Sequence, residues 1–260
     1  MKIRVITALA ILGVLIPIIY LSPLMFKIMA LVIVAIATHE ILDVKKAKNY
    51  LLLTKILLYV ITLLPLILIK DFTQINIIFV VGIIVSFIIL MLIDKNIDFN
   101  DMTYLFCVSL FIIIASNSAM YLRNLDNGFY IIIFTILVTA ASDTGAFFAG
   151  SAFGKHKLIP RISPNKTVEG LVGGVVLAVI IGVLYSLFLP SGFDNISIVI
   201  IVSIIFGFMA AVGDLFFSAI KRSNNIKDFS NMLPGHGGIL DRIDSHLMNL
   251  IMCFALICIF

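Results

Sequence analysis

Nine stretches of about 20 mostly apolar residues follow one another along this chain, separated by short polar segments. They run roughly over 4–21, 23–42, 51–69, 74–93, 102–121, 129–150, 168–189, 196–220 and 246–260, all but the short last one about the length a helix needs to cross a hydrocarbon layer, and the last is expected to be tilted or partly interfacial. One buried core cannot absorb them. Of the 260 residues, 62% are hydrophobic and 12% charged, against about 45–50% and about 25% in soluble domains. A surface that faces lipid accounts for the excess. In lipid the backbone must satisfy its own hydrogen bonds, so runs of this length become helices. The expected fold class is all-α, a polytopic transmembrane helical protein of about nine spans. Met1-Lys2-Ile3-Arg4 leads straight into apolar sequence, with no small-residue cleavage site before a water-soluble domain, and reads as the start of the first span rather than a leader.

Basic residues in short loops set the orientation of such a protein. With the N-terminus inside and nine alternating spans, fourteen of the eighteen Lys and Arg residues fall on the inner side and two, Lys70 and Arg123, on the outer. The expected location is the cell membrane, with the polar loops facing the cytoplasm and the lipid bilayer as one partner. Cys107, Cys253 and Cys258 lie in apolar runs without metal-site spacing, so neither a disulfide nor a zinc site is expected. No basic tract interleaved with aromatic residues points to nucleic acid. His39-Glu40, near the inner end of the second span, reads as a capping or packing pair.

The polar residues are unevenly spread. An N-terminal region, 1–121, holds membrane spans with short loops. A C-terminal region, 122–260, carries two dense inner loops, at about 151–167 and 221–245, and is the expected catalytic part. Its strongest cluster runs from Gly213 to Ser245. Asp214, Ser218, Lys221 and Arg222 stand at i, i+4, i+7 and i+8, which suggests one helical face. Lys227-Asp228 and the glycine-rich segment through His236, Gly237 and Gly238 follow, then Asp241, Arg242 and Asp244. Glycine lets backbone approach a ligand closely. A second cluster is Ser142-Asp143-Thr144-Gly145, with a carboxylate inside an apolar span beside small residues that allow close helix packing. A third runs from Gly154-Lys155-His156-Lys157 through Ser163-Pro164-Asn165-Lys166-Thr167 to Glu169, at a helix start whose N–H groups offer a place for phosphate. No Walker loop is present. Carboxylates beside several cationic groups suit phosphate chemistry: carboxylates hold Mg²⁺, and cations neutralise charge at transferred phosphorus.

The residues from Ser218 to Asp244 resemble the signature of the phosphatidate cytidylyltransferases (CDP-diacylglycerol synthases): Ser218, Lys221-Arg222, Lys227-Asp228, Ser230, Leu233-Pro234, His236-Gly237-Gly238 and Asp241-Arg242-Ile243-Asp244, matched in spacing over 27 residues. Asp143-Thr144-Gly145-Ala146, Gly154-Lys155, Ser163-Pro164, Lys166-Thr167 and Glu169-Gly170 match as well. Phe147 stands where tyrosine is expected, and Asn165 where a basic residue is common. The resemblance implies transfer of CMP from CTP to phosphatidate with Mg²⁺, giving CDP-diacylglycerol and pyrophosphate. It implies Asp214, Asp241, Asp244 and Asp143 as metal ligands, and Asp214, Asp241, Lys221 and Arg222 as catalytic residues. Ser163, Lys166, Thr167, Ser218, Lys227, His236, Gly237, Gly238 and Arg242 are then substrate-binding, and Lys166 is expected to meet the second substrate. A homodimer is compatible with the sequence and not fixed by it. Two other readings are a CTP-dependent lipid kinase, which would release CDP, and an ion-coupled transporter, which would carry inverted repeats that the one-sided polar distribution lacks.

Overall fold

A computed structural model describes residues 17–18, 20–45, 48–68, 77–230, 232 and 237–259, with backbone alone for 77–79. Among them are eight helices: α1 Pro23–Val44, α2 Leu52–Leu68, α3 Ile77–Ile93, α4 Phe99–Asn124, α5 Gly128–Phe153, α6 Val168–Phe188, α7 Ile196–Ser223 and α8 Leu240–Ile259. They correspond in order to the second to ninth expected spans. Most of the first, with Lys2 and Arg4, lies outside the described residues, as do Lys46 and Lys70, so the count of nine is not established. Six helices, α1 and α4 to α8, are long and apolar enough to cross a membrane. The all-α expectation needs one addition, a two-stranded antiparallel hairpin, β1 Lys157–Ile159 and β2 Ser163–Thr167, between α5 and α6. The last helix begins at Leu240, six residues before the expected edge, because polar Asp241, Arg242 and Asp244 form its first turns.

Local chemistry sets several of the helix starts. Ser22 Oγ accepts the Met25 N–H at 3.1 Å while Pro23 opens α1, a capping hydroxyl followed by proline at the first helical position. Thr167 Oγ1 caps α6 through the Gly170 N–H at 3.1 Å, and Asn195 caps α7 through the Ser197 N–H at 2.8 Å.

The chain divides into two compact units. The first comprises the described residues of Met1–Tyr121 together with Asp228–Arg242. In it α1 and α2 pair through the Thr38 and Thr62 hydroxyls, 2.9 Å apart, and Lys27 Nζ donates to the Ile67 carbonyl. The α3–α4 junction turns on Asp94, a buried carboxylate that accepts from the Leu51 N–H at 2.7 Å, Thr54 Oγ1 at 2.8 Å and the Asn96 N–H at 3.0 Å.

The second unit comprises the described residues of Leu122–Lys227 and Ile243–Phe260. Helices α5, α6 and α7 pack on one another at its centre. Small residues bring α5 and α6 together: a Cβ on Gly145 would stand 2.6 Å from the Gly173 carbonyl oxygen. Asn249 of α8, fully buried, donates to Thr139 Oγ1 of α5 at 2.9 Å and to the Phe206 carbonyl of α7 at 3.0 Å. Hydrogen bonds of this kind hold helices together where the hydrophobic effect between them is weak.

Candidate active site

In the second unit, α7 carries Asp214 and Ser218 one turn apart, and Ser218 Oγ donates to Asp214 Oδ1 at 3.1 Å. The other oxygen, Oδ2, lies 2.6 Å from Lys166 Nζ of β2. The hairpin thus delivers a cation from the other polar loop onto the α7 carboxylate. Lys166 also donates to the Ala211 carbonyl at 3.4 Å. Both partners of the ion pair remain partly accessible, 23% for the lysine side chain and 34% for the aspartate, so a ligand can reach either.

Asp143 on α5 and Asp244 on α8 are close enough to act electrostatically on Asp214 and on each other, with Lys166 acting on Asp143 and Lys221 on Asp244. Asp143 is exposed and faces Ser245 Oγ at 3.5 Å; Asp244 is buried. Close approach of α7 and α8 makes this possible: a Cβ on Gly213 would stand 2.9 Å from the Asp244 carbonyl oxygen. Three helices and one hairpin therefore bring Asp143, Asp214, Asp244, Lys166 and Lys221 into one electrostatic neighbourhood. Oxygen donors of this kind suit Mg²⁺. The arrangement is open, and no three such side chains among the described residues close around one point.

Arg222 departs from the expected face. Lys221 is buried, whereas Arg222 is exposed and donates through Nη1 to the Ile226 carbonyl at 3.0 Å. At about 100° per residue, i+7 returns to within about 20° of Asp214, but i+8 stands about 80° round the helix. The start of α6 also differs from expectation. Its Val168 N–H is taken by the His156 carbonyl at 2.9 Å and its Gly170 N–H by Thr167 Oγ1. Glu169 accepts from the Lys155 N–H at 3.1 Å and the His156 N–H at 3.2 Å, and lies 2.6 Å from His156 Nδ1. That helix start is filled by its own protein, and Thr167 acts there as a cap. Ser163 opens β2, and Lys227 is exposed at the end of the first stretch of the second unit.

Asp241 and Arg242 belong to the first unit. Asp241 Oδ2 accepts the Phe229 N–H at 2.8 Å and the Gly238 N–H at 3.0 Å, which draws the glycine-rich segment onto the start of α8. Gly237 takes φ +85°, a conformation that costs glycine little. His236 lies outside the described residues. Sequence reasoning read His39-Glu40 as a capping or packing pair and gave it no place near the signature segment; the buried Glu40 carboxylate accepts from Ser230 Oγ at 2.7 Å, the Ile239 N–H at 2.7 Å and the Leu240 N–H at 2.9 Å. It is a cap, as expected, but of a helix 200 residues away. The available signal was a carboxylate inside an apolar run, which must find donors.

The sequence model of the cytidylyltransferase family matches residues 2–260. The chain is 33% identical over 253 residues to a phosphatidate cytidylyltransferase of Staphylococcus epidermidis, with 95% of each chain covered. It is 34% identical over 251 residues to that of Staphylococcus haemolyticus, again with 95% of each covered. With that of Bacillus subtilis (strain 168) it shares 37% identity over 172 residues, 65% of this chain and 63% of the relative. The chain belongs to the cytidylyltransferase family.

Proposed function

We propose that this protein is a membrane-embedded phosphatidate cytidylyltransferase, which transfers CMP from CTP to phosphatidate and releases pyrophosphate. The observation that carries the chemistry is the Lys166–Asp214 pair at 2.6 Å, set among Asp143, Asp244 and Lys221. A phosphate oxygen of phosphatidate attacks the α-phosphorus of CTP. The bond from that phosphorus to the bridging oxygen breaks, and pyrophosphate leaves with the electron pair. The attacking oxygen is already anionic at neutral pH, so no strong protein base is needed. The barrier lies in bringing two anions together, and preorganised cations lower it.

Lys166 supplies such a charge at an accessible position, and Lys221 balances the buried Asp244. One or two of Asp143, Asp214 and Asp244, together with substrate phosphate, would hold Mg²⁺; bound there, the metal would neutralise phosphate charge and polarise the phosphoryl oxygens. Arg222, exposed and turned from Asp214, is better suited to nucleotide or lipid phosphate arriving at the helix end than to the carboxylates. The fourteen-to-two distribution of basic residues supports a site facing the cytoplasm, where a water-soluble nucleotide meets a lipid head group.

Incubating purified protein with CTP, phosphatidate and Mg²⁺ tests the reading. It requires pyrophosphate in step with a CDP-lipid, whereas release of CDP would mark a lipid kinase.

A further inference from the structure

We infer that Glu40 is a positioning residue for the signature segment, so that α1 sets the catalytic loop as well as anchoring the chain; this rests on the cytidylyltransferase reading above. Glu40 lies within apolar α1 and is 1% exposed. A buried carboxylate is expensive unless donors meet it. Three do, all within the first unit: Ser230 Oγ and the Ile239 N–H on Oε1, and the Leu240 N–H on Oε2. The last two stand at the start of α8, where helical N–H groups lack partners of their own and favour a negative charge. Gly238 lies so close that a Cβ there would stand 2.7 Å from Glu40 Oε1.

The next residue after Leu240 is Asp241, whose Oδ2 binds the Phe229 and Gly238 N–H groups. Two carboxylates thus set the segment, Asp241 from within and Glu40 from a helix about 190 to 200 residues earlier. Two consequences follow. The Ile239 and Leu240 N–H groups, which could otherwise receive a substrate phosphate, are already used. The rotational setting of the first turn of α8, and with it the place of Asp241, depends on Glu40.

The test compares wild-type protein with Glu40→Gln and Ser230→Ala, each purified and restricted to its monodisperse fraction. It reads kcat, both KM values and the rate of tryptic cleavage after Lys227. Glu40→Gln keeps the side chain's size but turns one acceptor into a donor facing N–H groups. Its kcat should fall by roughly tenfold or more, with each KM within about twofold of wild type, as expected when a catalytic group is misplaced. Cleavage after Lys227 should quicken several-fold. Ser230→Ala removes one donor of three and should show the same pattern, smaller. Wild-type kcat and cleavage in both variants would overturn the inference. If Glu40→Gln does not insert, Ser230→Ala decides alone by the same criteria. If the wild-type protein makes no product, the functional reading fails, and the cleavage rates still decide the positioning role.

Discussion

Lys166 Nζ and Asp214 Oδ2, 2.6 Å apart, join the hairpin after α5 to the C-terminal half of α7. The sequence reading assigned the two to different tasks, the lysine to a second substrate and the aspartate to a metal. Their pairing couples those tasks, because removing the lysine leaves Asp214 uncompensated beside Asp143 and Asp244. Lys166→Met and Asp214→Asn should each lower kcat/KM by on the order of 10²-fold or more. Combined, they should cost far less than the product of the single losses, since residues in direct contact are not additive. Losses that simply multiply would show the pair to be incidental to turnover.

Asp143→Asn and Asp244→Asn each remove one negative charge from the same neighbourhood. In both variants the Mg²⁺ concentration for half-maximal activity should rise, by on the order of tenfold, as expected for changes close to a metal site. Mg²⁺ titration of the initial rate is the measurement. An unchanged midpoint in both variants would remove these two carboxylates from the metal site.

Gly213 allows α8 to approach α7. A Cβ there would lie 2.9 Å from the Asp244 carbonyl oxygen and 2.9 Å from Met248 Cβ. In a helix interior alanine is intrinsically better than glycine by about 1 kcal/mol, so any loss must come from the forced separation. Gly213→Ala should lower thermal stability in detergent by about 1–3 kcal/mol, the usual cost of overpacking, and reduce kcat with it. A stabilised, fully active variant would mean that the helices give way without disturbing Asp244.

Asp94 offers a pH-dependent test outside the helices. Burial pushes its carboxyl up, but the Leu51 N–H, Thr54 and Asn96 together outweigh this and hold it below the ordinary value. A depressed folded-state pKa adds stability that is present above the unfolded value, about 3.9, and is lost as pH falls through the folded value. Asp94→Asn should therefore be less stable than wild type at pH 7 by about 1–3 kcal/mol. The gap should close as the pH drops below about 4. Equal unfolding midpoints at pH 7 would contradict the role given to Asp94.

What was legible in the sequence is what local pattern encodes. The apolar runs marked the helices, Ser22-Pro23 marked the start of α1, and the i, i+4 spacing of Asp214 and Ser218 gave a hydrogen bond that the structure contains. The same spacing argument overreached by one residue at Arg222, because i+8 stands about 80° round the helix from Asp214. Partners separated by tens to hundreds of residues left no local trace. Lys166 on Asp214, Asn249 on Phe206, and Glu40 on Leu240 each depend on how helices meet. The start of α6 looked open to phosphate although Thr167, directly before the helix, is a local cap; the His156 carbonyl becomes a neighbour only once the hairpin forms.

A cytidylyltransferase and a CTP-dependent lipid kinase attack different phosphorus atoms of CTP, and paired isotopic labels tell the two apart. Purified protein is given phosphatidate, Mg²⁺ and CTP labelled with ³²P at either the α or the γ position, and the lipid is extracted. The α label should appear in the lipid fraction as CDP-diacylglycerol, and the γ label should remain in water as pyrophosphate. Transfer of the γ label to lipid with release of CDP, or retention of both labels in water by active wild-type preparations, would contradict the account.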